Sequence, residues 1–497
     1  MWWHSTGLTL QLLCSATCIA LAIGLPMAWA WTLVGSRTGV FRWLDVLVGA
    51  VVVAAATTPL ILHATAWEAA AGKFGWWWWT GAGSIQSLGQ GFRGVISVGW
   101  IHGIHGAAGV AGLTRLSIAM LPPSVVQSAY LEASPTRAWW RTLLPAALWG
   151  PTCGITLVAM LTLTEMTVAN LYAYTTIADR FYLYYAIEPD LTSVFWVMVP
   201  TLIAIAGGAA VIQSRLRNLG VMVTMPRGIP RVPASRLAMS VATVTTLAGM
   251  LLLAGIPVAT FLIKLGMSPE GILDGGLAIE RWMTSIRVHG QDYVWTAQIA
   301  LGTGLIATLA GWMLAACVYR RRGWQIPIAM ILWFWFCIPG PLVALGIKQF
   351  FSIDVPGMDS IGRRTLVPTF LALLPRTMPI AYLILLVAMQ FTDASIWDLR
   401  RLEPSRTARL AIGFRLLGRP LAMTLGITAI IASGDVAATL RIIPPGVSTV
   451  STRLFGLLHS GARYQEAGLA LTYLGCVAAA MAVLWRLGYR VAGGEES

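Results

Sequence analysis

Charge is what this chain has least of. Asp, Glu, Lys and Arg make up 11% of its 497 residues, hydrophobic residues make up 57%, and mean hydropathy is +0.73. So few charges cannot cover the surface of a soluble protein of this length. A phosphate loop of the form Gly-x-x-x-x-Gly-Lys-Ser/Thr is absent, so the chain is not expected to hydrolyse ATP by itself. No Ser/His/Asp set and no metal-ligand spacing points to catalysis; neither an enzyme activity nor a cofactor is expected. The six cysteines (Cys14, Cys18, Cys153, Cys317, Cys337 and Cys476) all fall within apolar runs. They read as small buried residues, not as a disulfide framework or a metal site. The net charge of +14 does not imply nucleic acid, because the arginines sit in short loops between apolar runs.

What the chain does have is a series of apolar runs of about 20 residues, long enough to cross a hydrocarbon core of roughly 30 Å. They predict an all-α polytopic membrane protein. Spans are expected near 7–34, 42–66, 94–120, 146–169 and 191–213, then near 237–263, 294–318, 326–350, 365–391, 418–441 and 466–487, eleven in all. The first is too long for a signal peptide and has no basic leader, so it is expected to persist as a span. One set of alternate loops carries well over half of the 34 basic residues. That set is expected to face the cytoplasm, with the N-terminus outside and the C-terminus inside.

Two of these basic loops resemble each other. Leu131-Glu132-Ala133-Ser134-Pro135-Thr136-Arg137 recurs as Leu402-Glu403-Pro404-Ser405-Arg406-Thr407, with the glutamates just over half a chain apart. Each loop, Ser124–Thr142 and Asp393–Arg415, is long enough for a short helix-turn-helix. Loops alike on one side of the membrane require two parallel pseudo-repeats, whereas inverted repeats would place them on opposite sides. The expected division is 1–213 and 237–497, joined by a Pro- and Arg-rich cytoplasmic linker at 214–236. The second half carries one extra leading span, 237–263.

Carboxylates in apolar surroundings are costly unless they face water or a partner. Glu165 closes the span after the first loop, and Asp435 holds the same place after the second, with nearly the same offset as the two loop glutamates. Both could line one pathway, with Arg441 as a counter-charge, or each could cap a helix end. His102 and His105 would share a helix face, without an evident third ligand; packing among glycines is the alternative, and His63 stands nearby in sequence. Trp76–Trp79 fit an interfacial belt. Pro339-Gly340-Pro341 and Pro375–Pro379 predict broken or kinked helices, and Arg376 between prolines needs a partner within the membrane.

Several stretches are similar to the fused permease subunit of a binding-protein-dependent ABC importer, of the iron(III), thiamine and polyamine group. They are Ser134-Pro135-Thr136-Arg137-Ala138-Trp139-Trp140-Arg141-Thr142-Leu143-Leu144-Pro145 and Gly434-Asp435-Val436-Ala437-Ala438-Thr439-Leu440 with Pro444-Pro445-Gly446. The first resembles that family's ATPase-docking loop, the second an acidic–Ala-Thr-Leu–Pro-Pro-Gly signature. Departures are the missing Glu-Ala-Ala, Ala133 or Pro404 at the expected Gly, and Leu416 in place of the closing Pro. The resemblance implies a type I importer fold in a bacterial plasma membrane. It also implies two cytoplasmic ATPase copies and a periplasmic or lipid-anchored solute-binding protein as partners. ATPase coupling would fall to Glu132, Ser134, Thr136, Arg137, Glu403, Ser405, Arg406 and Thr407, and the pathway to Glu165, Asp435 and Arg441. Iron(III) is the expected cargo. The alternative is an ion-coupled secondary carrier using Glu165 and Asp435.

Overall fold

The computed structural model describes residues 2–35, 40–71, 92–180, 234–268, 270–392, 405–460 and 464–489, with a few isolated positions besides. Among the described residues every element is helical, apart from one isolated bridge between Met267 and Leu273. Among the described residues six helices are long and apolar enough to cross a membrane, and up to ten spans result if each of four bent pairs is counted as one. The chain is therefore an all-helical, multi-pass membrane protein. Leu237, Val241, Val244 and Leu251 recur at helical spacing and stay exposed, as a lipid-facing stripe does.

The expected count of eleven becomes six to ten among the described residues. The segment 191–213 lies almost wholly outside them, as do Trp76–Trp79, Glu403 and most of the linker. The expected span 42–66 is two helices, α2 (Val40–Thr57) and α3 (Leu60–Ala71), bent by 100°. Pro59 lacks an amide proton and ends α2. The Thr57 and Thr58 hydroxyls donate to the Val53 and Ala54 carbonyls, at 2.8 and 2.6 Å, at this helix end.

The contacts divide the chain into two compact units. The first takes in Met1–Pro200, Ser214–Gln291 and Val450–Gly475. Here α1 (Trp2–Gly35) runs along α4 (Phe92–Ala119). The approach is close because small residues line it: a Cβ on Gly103 would sit 2.6 Å from the Ile19 Cβ. After α4 come α5 (Pro123–Glu132), α6 (Pro135–Ala138), a π turn at Trp139–Leu143, then α7 (Trp149–Thr164) and α8 (Thr167–Leu171). Next, α9 (Arg236–Met250) continues through a π turn into α10 (Ile256–Gly266), the extra leading span. It packs on α1 and α3. The amphipathic α11 (Gly275–Val288) follows, its Arg281 donating to the Leu265 and Met267 carbonyls left over at the end of α10. Lys264 of α10 forms a buried ion pair with Glu466, whose side chain is 1% exposed.

The second unit takes in Thr201–Gln213, Asp292–Thr449 and Cys476–Ser497. Most of α12 (Gly290–Val318) belongs to it. The expected span 326–350 is again two helices, α13 (Arg322–Phe336) and α14 (Gly340–Phe351), bent by 93° at Pro339. Then come α15 (Met358–Arg364), α16 (Val367–Phe391), α17 (Arg406–Ser433) and α18 (Thr439–Ile442). Because α17 ends at Ser433, the expected span 418–441 is shorter than read. Last in the chain are α19 (Val450–Ser460), in the first unit, and α20 (Gln465–Tyr489), which begins there. One expectation about cysteine fails: all six are free, but Cys14, Cys18, Cys317 and Cys476 are exposed, and only Cys337 is buried. A thiol is apolar enough to face lipid, so an apolar run does not tell which side of a helix it takes.

Candidate functional site

The first loop folds into a two-faced device. Val126, Ala129 and Tyr130 of α5, with Ala138, Trp139 and Leu143, turn inward onto Ala28, Leu33, Val34 and Ile118. Glu132, Ser134, Thr136 and Arg137 stand on the other side, open to solvent in whole or in part. Between α5 and α6, Ala133 is extended (φ −146°, ψ 160°), so no glycine is needed there. In the second loop the Ser405 hydroxyl accepts from the Ala408 amide at 3.3 Å and caps α17, with the Thr407 hydroxyl 2.9 Å away. Glu403 lies outside the described residues, and nothing is described of the Arg406 side chain.

Glu165 sits where α7 stops. Its backbone is extended (φ −89°, ψ 129°), and its two carboxylate oxygens accept from the Thr167 amide at 2.6 Å and the Val168 amide at 3.0 Å. It thus caps the start of α8. Opposite stands His102 of α4, with Nε2 3.8 Å from Glu165 Oε2. His102 Nδ1 bonds the Val98 carbonyl at 2.9 Å. His105, one turn on, faces His63 of α3 edge-on at 5.2 Å, and His63 Nε2 bonds the Ala55 carbonyl at 3.1 Å. The His102–His105 pair therefore does not converge on one point: one ring meets a carboxylate, the other a histidine. Among the described residues no group of three or more His, Cys, Asp or Glu could hold a metal ion.

The other end of α8 is held by a second acid. Tyr172 donates to Glu68 of α3 at 2.8 Å, and both are buried. Asn170 of α8 meets His459 of α19, Oδ1 to Nε2 at 3.3 Å, and its amide lies 3.5 Å from Asp179. Burial raises the Asp179 carboxyl above its ordinary range, while Asn170 and the Arg180 charge pull it back. Glu68, Tyr172 and Asp179 are not among the site residues expected from sequence. The signal for Glu68 was there: it is an acid in the apolar run Leu60–Ala71.

Asp435 occupies the matching place in the second unit. Its Oδ1 accepts from the Ala438 amide at 2.8 Å, and its carbonyl accepts from the Thr439 hydroxyl at 2.5 Å. The charge acting on it is that of Arg376, whose guanidinium also lies over the Phe336 ring at 5.0 Å. Arg376 thus acts on a carboxylate, the kind of group it was expected to need. Arg441, the counter-charge anticipated from sequence, stands exposed in the last turn of α18. At the break before α14, Gly340 packs against this loop; a Cβ there would lie 2.9 Å from the Ala438 nitrogen. The sequence Pro339-Gly340-Pro341 therefore both breaks the helix and admits the backbone beside Asp435.

No protein-family model matches this chain, and no curated protein matches its sequence.

Proposed function

We propose that the chain is the membrane-spanning subunit of an ATP-driven importer that takes its cargo from a solute-binding protein. The observation that carries this reading is one local arrangement found twice, once in each half of the sequence. A span ends, an acid caps a short helix, and that helix packs on the second piece of a span broken at proline: α8 on α3 after Pro59, α18 on α14 after Pro339. Each arrangement follows one copy of the loop, with Glu132, Ser134, Thr136 and Arg137 in the first and Ser405 and Thr407 in the second. This supports two parallel halves of the type I importer kind; the apolar runs favour eleven spans in total, the basic loops an N-terminus outside and a C-terminus in the cytoplasm, and the family resemblance a bacterial plasma membrane.

In this reading each loop seats one copy of a cytoplasmic ATPase. ATP favours the closed ATPase dimer, closure draws the loops together, and α7 and α17 pass the movement to Glu165 and Asp435. The device is a population shift, driven by the difference in ATP affinity between the two states. Iron(III) delivered by a periplasmic or lipid-anchored protein is the cargo that the paired acids and the Pro444-Pro445-Gly446 stretch favour.

A mild-detergent pull-down on the full chain tests the reading. Recovery of a phosphate-loop ATPase, lost when Glu132→Ala and Glu403→Ala are combined while membrane insertion is unchanged, is the expected result. Failure to recover any ATPase moves the reading to an ion-coupled carrier using Glu165 and Asp435.

A further inference from the structure

We propose that His102 and Glu165 form a proton-binding site that latches α8 in place. The Val98 carbonyl can only accept, so the His102 nitrogen facing it, Nδ1, carries a hydrogen. That leaves Nε2, which is buried, has no hydrogen-bond partner, and points to Glu165 Oε2 at 3.8 Å. Both oxygens of Glu165 already accept backbone N–H bonds, an arrangement suited to a carboxylate. A bare Nε2 would set its lone pair against that oxygen in a dry site. A proton on Nε2 turns the same contact into an attraction between imidazolium and carboxylate.

Burial works against a charged ring, and the Glu165 carboxylate is the charge that favours one. The helices α1 and α7 contain no Asp, Glu, Lys or Arg, and neither does α8. Other titratable groups are His105 on the same helix and His63 across from it; Glu68 is engaged by Tyr172, Asp179 and His459 meet Asn170 at the far end of α8, and Asp45 of α2 pairs with Arg115 further along α4. The His102 side chain is 1% exposed and Glu165 16%, so the proton reaches the site past Glu165. When it leaves, His102 and Glu165 repel, and the carboxylate that caps Thr167 and Val168 is pushed off its seat. Protonation is thereby coupled to the position of α8, whatever energy source drives the chain.

The test uses the full chain in lipid nanodiscs, labelled with 15N-histidine, with no ATPase present, so its failure is independent of the pull-down above. NMR of the imidazole nitrogens is followed between pH 5 and 9, with His102 assigned by its loss in His102→Gln. Expected is one ring with Nδ1 protonated throughout and Nε2 gaining a proton as pH falls. Glu165→Gln moves that transition down by about one pH unit or more, since a neutral amide no longer favours the cation; Glu165→Asp, which keeps the charge, retains it. Hydrogen exchange at 165–168, corrected for intrinsic rates, speeds up above the transition, and His102→Gln removes this pH dependence. An Nε2 that takes up no proton in the range, or a transition and exchange pattern indifferent to Glu165→Gln in a folded variant, overturns the proposal.

Discussion

In the first copy of the loop a π turn at Trp139–Leu143 leads into Pro145, and the chain bends by 71° before the next span. In the second, Leu416 stands in place of that proline, and one helix runs from Arg406 to Ser433, with a proline of its own, Pro420, four residues further on. Proline contributes no amide proton and crowds the preceding turn, and the widened π turn relieves that crowding. Leucine keeps its helical bond. The result is that the first loop joins its span through a joint, whereas the second is the beginning of its span. A push on the second loop travels within one helix, whose weak point is Pro420; a push on the first has to cross a 71° bend before reaching Glu165. Similar loop residues therefore do not imply equal coupling.

Exchanging the two residues breaks the comparison most directly. Leu416→Pro removes an interior helical bond and should cost about 3 kcal/mol, while Pro145→Leu should change stability by less than about 1 kcal/mol. Thermal unfolding in detergent measures both, and equal losses would mean that the joint is not set by proline. The acids give the next test. Arg376→Leu leaves Asp435 without the charge that faces it and should cost about 3 kcal/mol. His102→Leu should cost about 1 kcal/mol, because Glu165 keeps two backbone donors; the same unfolding assay ranks them, and the reverse order would refute the assignment. The smallest effect lies at the loop serines. Ser405 caps α17, whereas Ser134 makes no side-chain cap bond. Ser405→Ala should cost about 1 kcal/mol and Ser134→Ala close to nothing, a contrast that amide exchange in the first turn of each helix resolves.

How much of this could be read beforehand depends on distance along the chain. Apolar runs announced the helices, since length and composition are local. The bends were less visible, because Val40–Ala71 stays apolar through Pro59 and only the proline marks the turn. The two acids stood out as charges in apolar surroundings, and helix capping was one of the two roles open to them; it is the one whose bonds are observed. Their partners could not be read. His102 and Glu165 are far apart in sequence, as are Arg376 and Asp435, and those contacts exist only once α4, α7, α16 and α17 have packed. Which side of its helix each cysteine takes was hidden for the same reason.

The buried pair of Lys264 and Glu466 bears on how the protein is made. The lysine leaves the ribosome long before the glutamate does. Until the later one arrives, the ammonium of Lys264 has no carboxylate to neutralise it and is drawn to the water at the end of its helix. Only when the segment beginning at Gln465 enters the membrane can α10 settle to its full depth. The first unit is thus completed only after the helices that lie between Lys264 and Glu466 in the chain have been made.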